Sequence, residues 1–325
     1  MQSLCHLRLQ AETRITPGRR LVQNPQTGSR LATQNRYAYA PITARADYSW
    51  PEGKRLAVYV AINLEQYSFG EGLREELVGG GHEPDVLNYS WRDYGNRVAI
   101  WRLKALFDAF DLPITLLVNS EVYAHAPGLI EAFRTRGDEI AAHGRTNSEA
   151  QGLLDEAGEA ALIAEATQTI ARQEGKPPAG WLGPWLSESP VTPDLLHEAG
   201  YRYVMDWCMD DQPIWLKTRQ GRLLSVPYPQ ELNDSSTIVG RRASATDFAT
   251  MIIDQFDEML AQSEAQPLVF GLALHPYVIG QPFRLRPFRR ALAHIAAHRD
   301  RIWATTGSGI ADHVIGLDKA GLALG

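Results

Sequence analysis

Four short stretches carry side chains able to move protons. "AINLEQYSFGEG" sets Glu65 just past an apolar run, and "AAHGRTN" sets His143 just past another. "YVMDWCMDDQPIW" crowds Asp206, Asp210 and Asp211 among aromatic residues, and "LALHPYVIGQPFR" ends a long apolar run on His275. A histidine titrates near working pH, and an aspartate neighbour can fix its tautomer, so His275 is well placed for proton transfer. Three acids so close repel one another, so some are expected to bind backbone N–H groups or a cation-like partner. Taken singly, Glu65 also reads as a solvated loop acid and His143 as a structural hydrogen-bonding residue. A glutamate, two histidines and an aspartate cluster, each at a strand end and on one barrel mouth, together read as an acid/base site.

His143 poses a second question. Asn147 stands four residues later, where a second histidine would complete a metal-binding pair. Other chemistries find no support. There is no G-x-S-x-G nucleophile turn, no G-x-x-x-x-G-K-[ST] phosphate loop and no H-E-x-x-H, and "GEG" at Gly70–Gly72 is no dinucleotide fingerprint. Cys208 has no histidine near it in sequence to activate a thiolate.

The elements that position these residues alternate. "RLAVYVAI", "LPITLLVN", "EIAAH", "GWLGPW", "YRYVMDW", "GRLLSVPYP", "PLVFGLALHP" and "RIWATT" read as strands. Between them, "NRVAIWRLKALFDAF", "PGLIEAFRTRG" (closed by Gly137), "EAGEAALIAEATQTIARQEG", "TPDLLHEAG" (Thr192 as cap, Pro193 at its first position), "SATDFATMIIDQFDEMLAQSE" and "FRRALAHIAAHRD" read as helices, and a last helix runs to the C-terminus. Such alternation predicts one parallel, barrel-like α/β domain, whose strand ends converge on one mouth. The expected boundaries are residues 46–316 for the barrel, a disordered extension over 1–45 and a tail over 317–325. The extension is arginine-rich with a single acid, Glu12, a composition shared by transit peptides.

The 325 residues are 44% apolar with a net charge of −6 and no basic run interleaved with aromatics, which argues against nucleic acid as partner. No stretch reaches the ~18 consecutive apolar residues of a membrane span. Two cysteines, Cys5 and Cys208, make neither a disulfide framework nor a structural zinc site, which fits a cytoplasmic protein.

The order of these motifs resembles the polysaccharide deacetylase (NodB-homology) superfamily, over roughly Trp50 to Val314. "DWCMDDQPIW", "VPYPQELND" and "ALHPYVIGQPFR" are similar to its metal-independent allantoinase-like branch. The resemblance implies a distorted (β/α)7 TIM-like barrel and hydrolysis of a carbon–nitrogen bond. It places the family's general base on Glu65, its metal-binding acid on Gln66, its two ligand histidines on His143 and Asn147, and its late-strand general acid on His275. Asp206 matches the Asp-Trp motif that neighbours that acid. Two of three metal positions are thus amides, poor zinc ligands beside carboxylate or imidazole, so no cofactor is expected.

The expected reaction is metal-independent cleavage of a small amide, cyclic imide or ureide. Glu65 would activate water, His143 would stabilise the oxyanion and His275 would protonate the leaving nitrogen, with Asp206 as a fourth catalytic residue. Arg145 would bind a substrate carboxylate, and Trp91, Trp185 and Trp207 would wall the pocket. Glu188, Asp211, Tyr228 and Asn233 complete the expected substrate-binding set. Relatives in this branch imply a homo-oligomer such as a tetramer. The alternatives are a zinc-dependent sugar N-deacetylase and a non-catalytic barrel with a decayed site.

Overall fold

β1 (Leu56–Leu64) reads LAVYVAINL, and all nine of its residues are buried, the pattern of a parallel strand covered on both faces. Its residues divide by parity. Val58, Val60, Ile62 and Leu64 pack outward under helices, while Ala57, Tyr59 and Ala61 face an inner core with Leu117, Leu182, Tyr203, Met205 and Val226. The structure, a computed structural model, describes residues 32–70, 76–77, 79 and 83–322. From Tyr37 onward the chain forms one compact unit. The expected extension over 1–45 therefore lies mostly outside the described residues, and its last part belongs to the barrel. Arg45 makes a bidentate pair with Asp210 at 2.5 and 2.7 Å, which gives one of the three crowded acids its cationic partner.

After β1 come α1 (Val86–Tyr94), a π-helical stretch at Gly95–Ala99, α2 (Ile100–Phe110), β2 (Ile114–Val118), α3 (Val122–His125), α4 (Pro127–Arg136) and β3 (Glu139–Ala142). They are followed by α5 (Glu156–Glu174), β4 (Gly180–Trp181), α6 (Thr192–Glu198), β5 (Tyr203–Val204), β6 (Ile214–Thr218) and β7 (Gly221–Ser225). The chain ends with α7 (Ala245–Gln262), β8 (Leu268–Leu274), α8 (Pro276–Ile279), α9 (Pro282–Ala296), β9 (Ile302–Thr305) and α10 (Gly307–Lys319). The last helix thus runs past the expected boundary at 316.

The strands form one curled sheet in the order β6-β7-β5-β4-β3-β2-β1-β8. One edge of β1 pairs with β8 from Leu56↔Leu268 to Ile62↔Leu274. The other edge is shared: β9 takes Leu56–Tyr59 and β2 takes Val60–Leu64. This sharing makes the barrel distorted, as the resemblance implies. The sheet is open between β8 and the β6–β7 hairpin, and irregular chain bridges the gap. Val269 N–H donates to the Asp211 carbonyl at 2.9 Å, and Ala273 N–H to the Leu232 carbonyl at 3.2 Å.

Gly137 closes α4 at φ +84, and Ser244 and Asp247 form a capping box on α7. Three local expectations differ. "GWLGPW" keeps only two strand residues, because Trp185 and Leu186 turn the chain at φ +65 and +51. Thr192 does not cap α6: its hydroxyl donates to the buried carboxylate of Glu159 instead. The antiparallel strand β6 was not expected, nor was α1, which Asp85 caps through the Asn88 N–H at 3.1 Å. Among the described residues no helix is long and apolar enough to cross a membrane.

Candidate active site

The first residue past β1 is Glu65, 6% exposed. Its two carboxylate oxygens have different surroundings. Oε2 accepts from the Tyr67 hydroxyl at 2.5 Å and the Tyr277 hydroxyl at 2.8 Å. Oε1 accepts from Asn147 Nδ2 at 2.6 Å and faces His143 Nε2 at 3.6 Å and His275 Nε2 at 3.7 Å. Burial on its own raises the Glu65 pKa. The charges of His275 and His143 and the Tyr67 hydroxyl outweigh burial and hold it below the usual carboxylate range.

His143 follows β3. Its Nδ1 lies 2.7 Å from the Leu182 carbonyl, which can only accept, so Nδ1 carries the proton and Nε2 faces Glu65. Gly144 then turns the chain at φ +64, and a Cβ there would come within 2.7 Å of the Pro184 ring. The turn sends the chain back toward β1, where Asn147 N–H meets the Gln66 carbonyl at 2.9 Å. Asn147 is oriented by its neighbours: its Oδ1 lies 3.5 Å from Asn119 Nδ2, and its Nδ2 points at Glu65.

His275 follows β8. Asp234 holds it with both oxygens on the His275 backbone N–H at 3.0 Å and with Oδ1 on Nδ1 at 2.7 Å. A ladder contact between Asn233 and Ala273 sets Asp234 in place. Burial raises the Asp234 pKa, with the charge and hydrogen bonds of His275 opposing it.

These side chains open onto a cavity of about 160 Å³ lined by Asn63, Glu65, His143, Asn147, Trp185, Tyr228, Asn233 and His275, among others. Tyr228 accepts from Asn63 Nδ2 at 2.9 Å through its hydroxyl. Trp185 is fixed by an Nε1 bond to the Asn147 carbonyl at 2.9 Å. Glu65, His143, His275, Trp185, Tyr228 and Asn233 are thus brought together.

The other expected site residues lie elsewhere. Asp206 is not the partner of His275. Its Oδ1 accepts the Gly183 N–H at 2.7 Å, and its carboxyl is hydrogen-bonded to Glu188, which also takes Trp207 Nε1 at 3.0 Å. Asp206, Glu188 and Trp207 therefore brace the loop after β4, and the charge of Asp206 is felt by His143. Arg145 pairs with Glu149, at 3.0 Å from Nε, and with Glu165, at 2.5 Å from Nη1, and borders a separate cavity beside Gln66 and Ser68. Trp91 is buried with its ring edge-on to Tyr277 at 4.9 Å, so it backs the site without lining it. Asp211 borders a separate cavity at the sheet opening.

Sequence reasoning passed over Asp234, Tyr67 and Tyr277. Each had a signal. Asp234 follows Asn233 in the same motif, and the two tyrosines sit two residues past Glu65 and His275.

Among the described residues no group of three His, Cys, Asp or Glu side chains is placed to hold a metal ion. The donor set gives the reason. Glu65 is surrounded by an N–H of Asn147 and two tyrosine O–H groups, whose positive ends would face a cation. The Gln66 amide turns away, its Nε2 on the Tyr67 carbonyl at 3.3 Å.

Known proteins share this arrangement of elements. No family model matches the chain. A Schizosaccharomyces pombe (strain 972 / ATCC 24843) protein assigned by name to the polysaccharide deacetylases is 25% identical over 81% of this chain and 91% of its own. The peptidoglycan deacetylase of Helicobacter pylori (strain ATCC 700392 / 26695) is 24% identical over 70% of this chain and 87% of its own. The crystal structure of Puue allantoinase superposes with a TM-score of 0.74 at 26% identity, covering 86% of this chain and 95% of that one.

Proposed function

Given that the chain belongs to the polysaccharide deacetylase superfamily of carbon–nitrogen hydrolases, we propose that it cleaves a small cyclic imide, ureide or amide by acid/base catalysis without a metal. The observation that carries this reading is Glu65 Oε1 lying 3.6 and 3.7 Å from the Nε2 atoms of His143 and His275. A base and an acid thus face one cavity with room for a water between them.

In this reading Glu65 Oε1 takes a proton from water, and the water oxygen attacks the carbonyl carbon. As the carbon–nitrogen bond breaks, the imidazolium of His275 gives its Nε2 proton to the leaving nitrogen. Asp234 holds Nδ1 protonated throughout and stabilises the charged ring. A proton passing from Glu65 back to His275 resets the pair.

The oxyanion needs donors. Neutral His143 has none to offer at Nε2, because its proton is on Nδ1; it serves only as imidazolium. Tyr228 accepts from Asn63, and its own proton is available toward the cavity it lines. Tyr228 is therefore the neutral oxyanion donor. The cavity volume of about 160 Å³ is below the ~300–1,000 Å³ of drug-sized sites, which favours a small ring over a polymer.

The names of the curated relatives favour a second reading, N-deacetylation of a sugar. A panel of hydantoins, cyclic imides, ureides, N-acyl amines and N-acetylated sugars, run on metal-stripped protein with and without added Zn²⁺, separates the two. Turnover of a small imide or ureide that is indifferent to chelator supports the first reading. Deacetylation restored only by Zn²⁺ refutes it.

A further inference from the structure

Glu65 has two oxygens, and the fold treats them differently. Tyr67 and Tyr277 lie 2.5 and 2.8 Å from Oε2 and 3.2 Å from each other. Each hydroxyl has one proton, and both carboxylate distances are shorter than the distance between the hydroxyls. Both protons therefore go to Oε2. Asn147 gives one amide proton to Oε1 at 2.6 Å and directs the other to the Tyr67 oxygen at 3.2 Å.

The two tyrosines are themselves fixed. Tyr67 lies under the Arg92 guanidinium, 4.4 Å from its ring centroid, and its ring meets Tyr277 edge-on at 6.4 Å. Tyr277 is held in turn by the edge of Trp91. Both are buried, and neither borders the 160 Å³ cavity. They cannot touch a ligand there, and both reach the cavity through Glu65, Tyr67 also through Asn147.

We infer that Tyr67 and Tyr277 are positioning residues that clamp Oε2 of Glu65 and leave Oε1 as the oxygen presented to the reacting water. The inference rests on the reading of Glu65 as the base. It also accounts for how a buried carboxylate stays ionised beside neutral amides. The groups facing Glu65 are Tyr67 from its own segment, His143 and Asn147 from the loop after β3, Tyr228 from the segment after β7, His275 and Tyr277 around α8, and Arg92 of α1 behind Tyr67. A hydrogen bond to the charged form of a carboxyl favours that form. The Tyr67 hydroxyl is accordingly among the influences that lower the Glu65 pKa against the opposing pull of burial.

The test is a ¹³C NMR titration of protein labelled at the glutamate side-chain carboxyl, with E65Q identifying the Glu65 resonance. The full-length wild type is compared with Y67F, Y277F and the double variant. Each lost hydroxyl is expected to raise the Glu65 midpoint by about one pH unit, a tenfold gain in proton affinity. If the double variant fails to fold, the two single variants carry the same expectation separately. An unmoved midpoint, with E65Q inactive in the substrate panel, overturns the inference and leaves the reading of Glu65 as base intact. A moved midpoint with full turnover by E65Q overturns both, through the reading on which the inference rests.

Discussion

Asp234 Oδ1 lies 2.7 Å from His275 Nδ1, and the same carboxylate takes the backbone N–H groups of His275 at 3.0 Å and Ile279 at 3.2 Å. An acceptor tied in this way fixes both the tautomer and the ring plane, so Nε2 is the atom that meets the substrate. Asp234→Asn can present its N–H side to Nδ1 and reverse the tautomer. We expect kcat to fall about 10²–10⁴-fold, the range of a lost acid/base contribution. The ¹⁵N shifts of the His275 ring, read beside kcat, check the cause. A variant with full kcat and unchanged shifts would remove Asp234 from the account.

The Asp206–Glu188 pair makes stability depend on pH. Burial raises the Glu188 carboxyl to about 10, with the Asp206 charge adding to it. Burial also raises Asp206 to about 6, against the pull of the Gly183 N–H. Glu188 Oε1 and Asp206 Oδ2 are both buried with no other partner, which a shared proton explains. The folded protein thus keeps a proton that the unfolded chain releases above pH ~4.3. Stability therefore falls as pH rises from there toward about 10, at roughly 1.4 kcal/mol per pH unit for each proton held. Glu188→Gln keeps a donor for Asp206 without the titration. Urea midpoints at several pH values should show a flatter slope in the variant; equal slopes would count against the shared proton.

Arg145 is held by Glu149 and Glu165, and the account gives it no substrate. Arg145→Ala should leave kcat/KM within about threefold and cost at most about 1 kcal/mol, as partly exposed ion pairs do. A loss of two orders of magnitude in kcat/KM would return Arg145 to the site.

Tyr228 offers the neutral oxyanion donor. Tyr228→Phe should lower kcat by about 10²-fold or more with KM little changed, since the bond strengthens only as charge develops. A rise in KM at constant kcat would make Tyr228 a ground-state contact instead.

The barrel was legible because its strands are short, apolar and punctuated. β1 and β8 stand out in the sequence, and Glu65, His143 and His275 follow their strands by position alone. The partners of those residues were not legible. Asp206 stands among aromatic residues in a stretch that draws attention, whereas Asp234 stands in a polar one, and the Asn233–Ala273 ladder contact brings Asp234 to His275. Arg145 looked like an anion site because its neutralising partner Glu165 comes from α5, twenty residues away. Tyr67 and Tyr277 each sit two residues past a site residue, and nothing in either stretch shows that the two meet. They meet only because β1 and β8 are adjacent and in register, which places Ile62 opposite Leu274. Pairings across strands depend on that register, and periodicity within one strand does not report it.

The account turns on Glu65 acting as the base, and the turnover number of metal-stripped Glu65→Gln against metal-stripped wild type tests that directly on the best substrate of the panel. The account predicts an active wild type and a variant slower by about 10²–10⁴-fold with its fold intact. A Glu65→Gln protein as fast as wild type, or a wild type silent until Zn²⁺ is supplied, would contradict it.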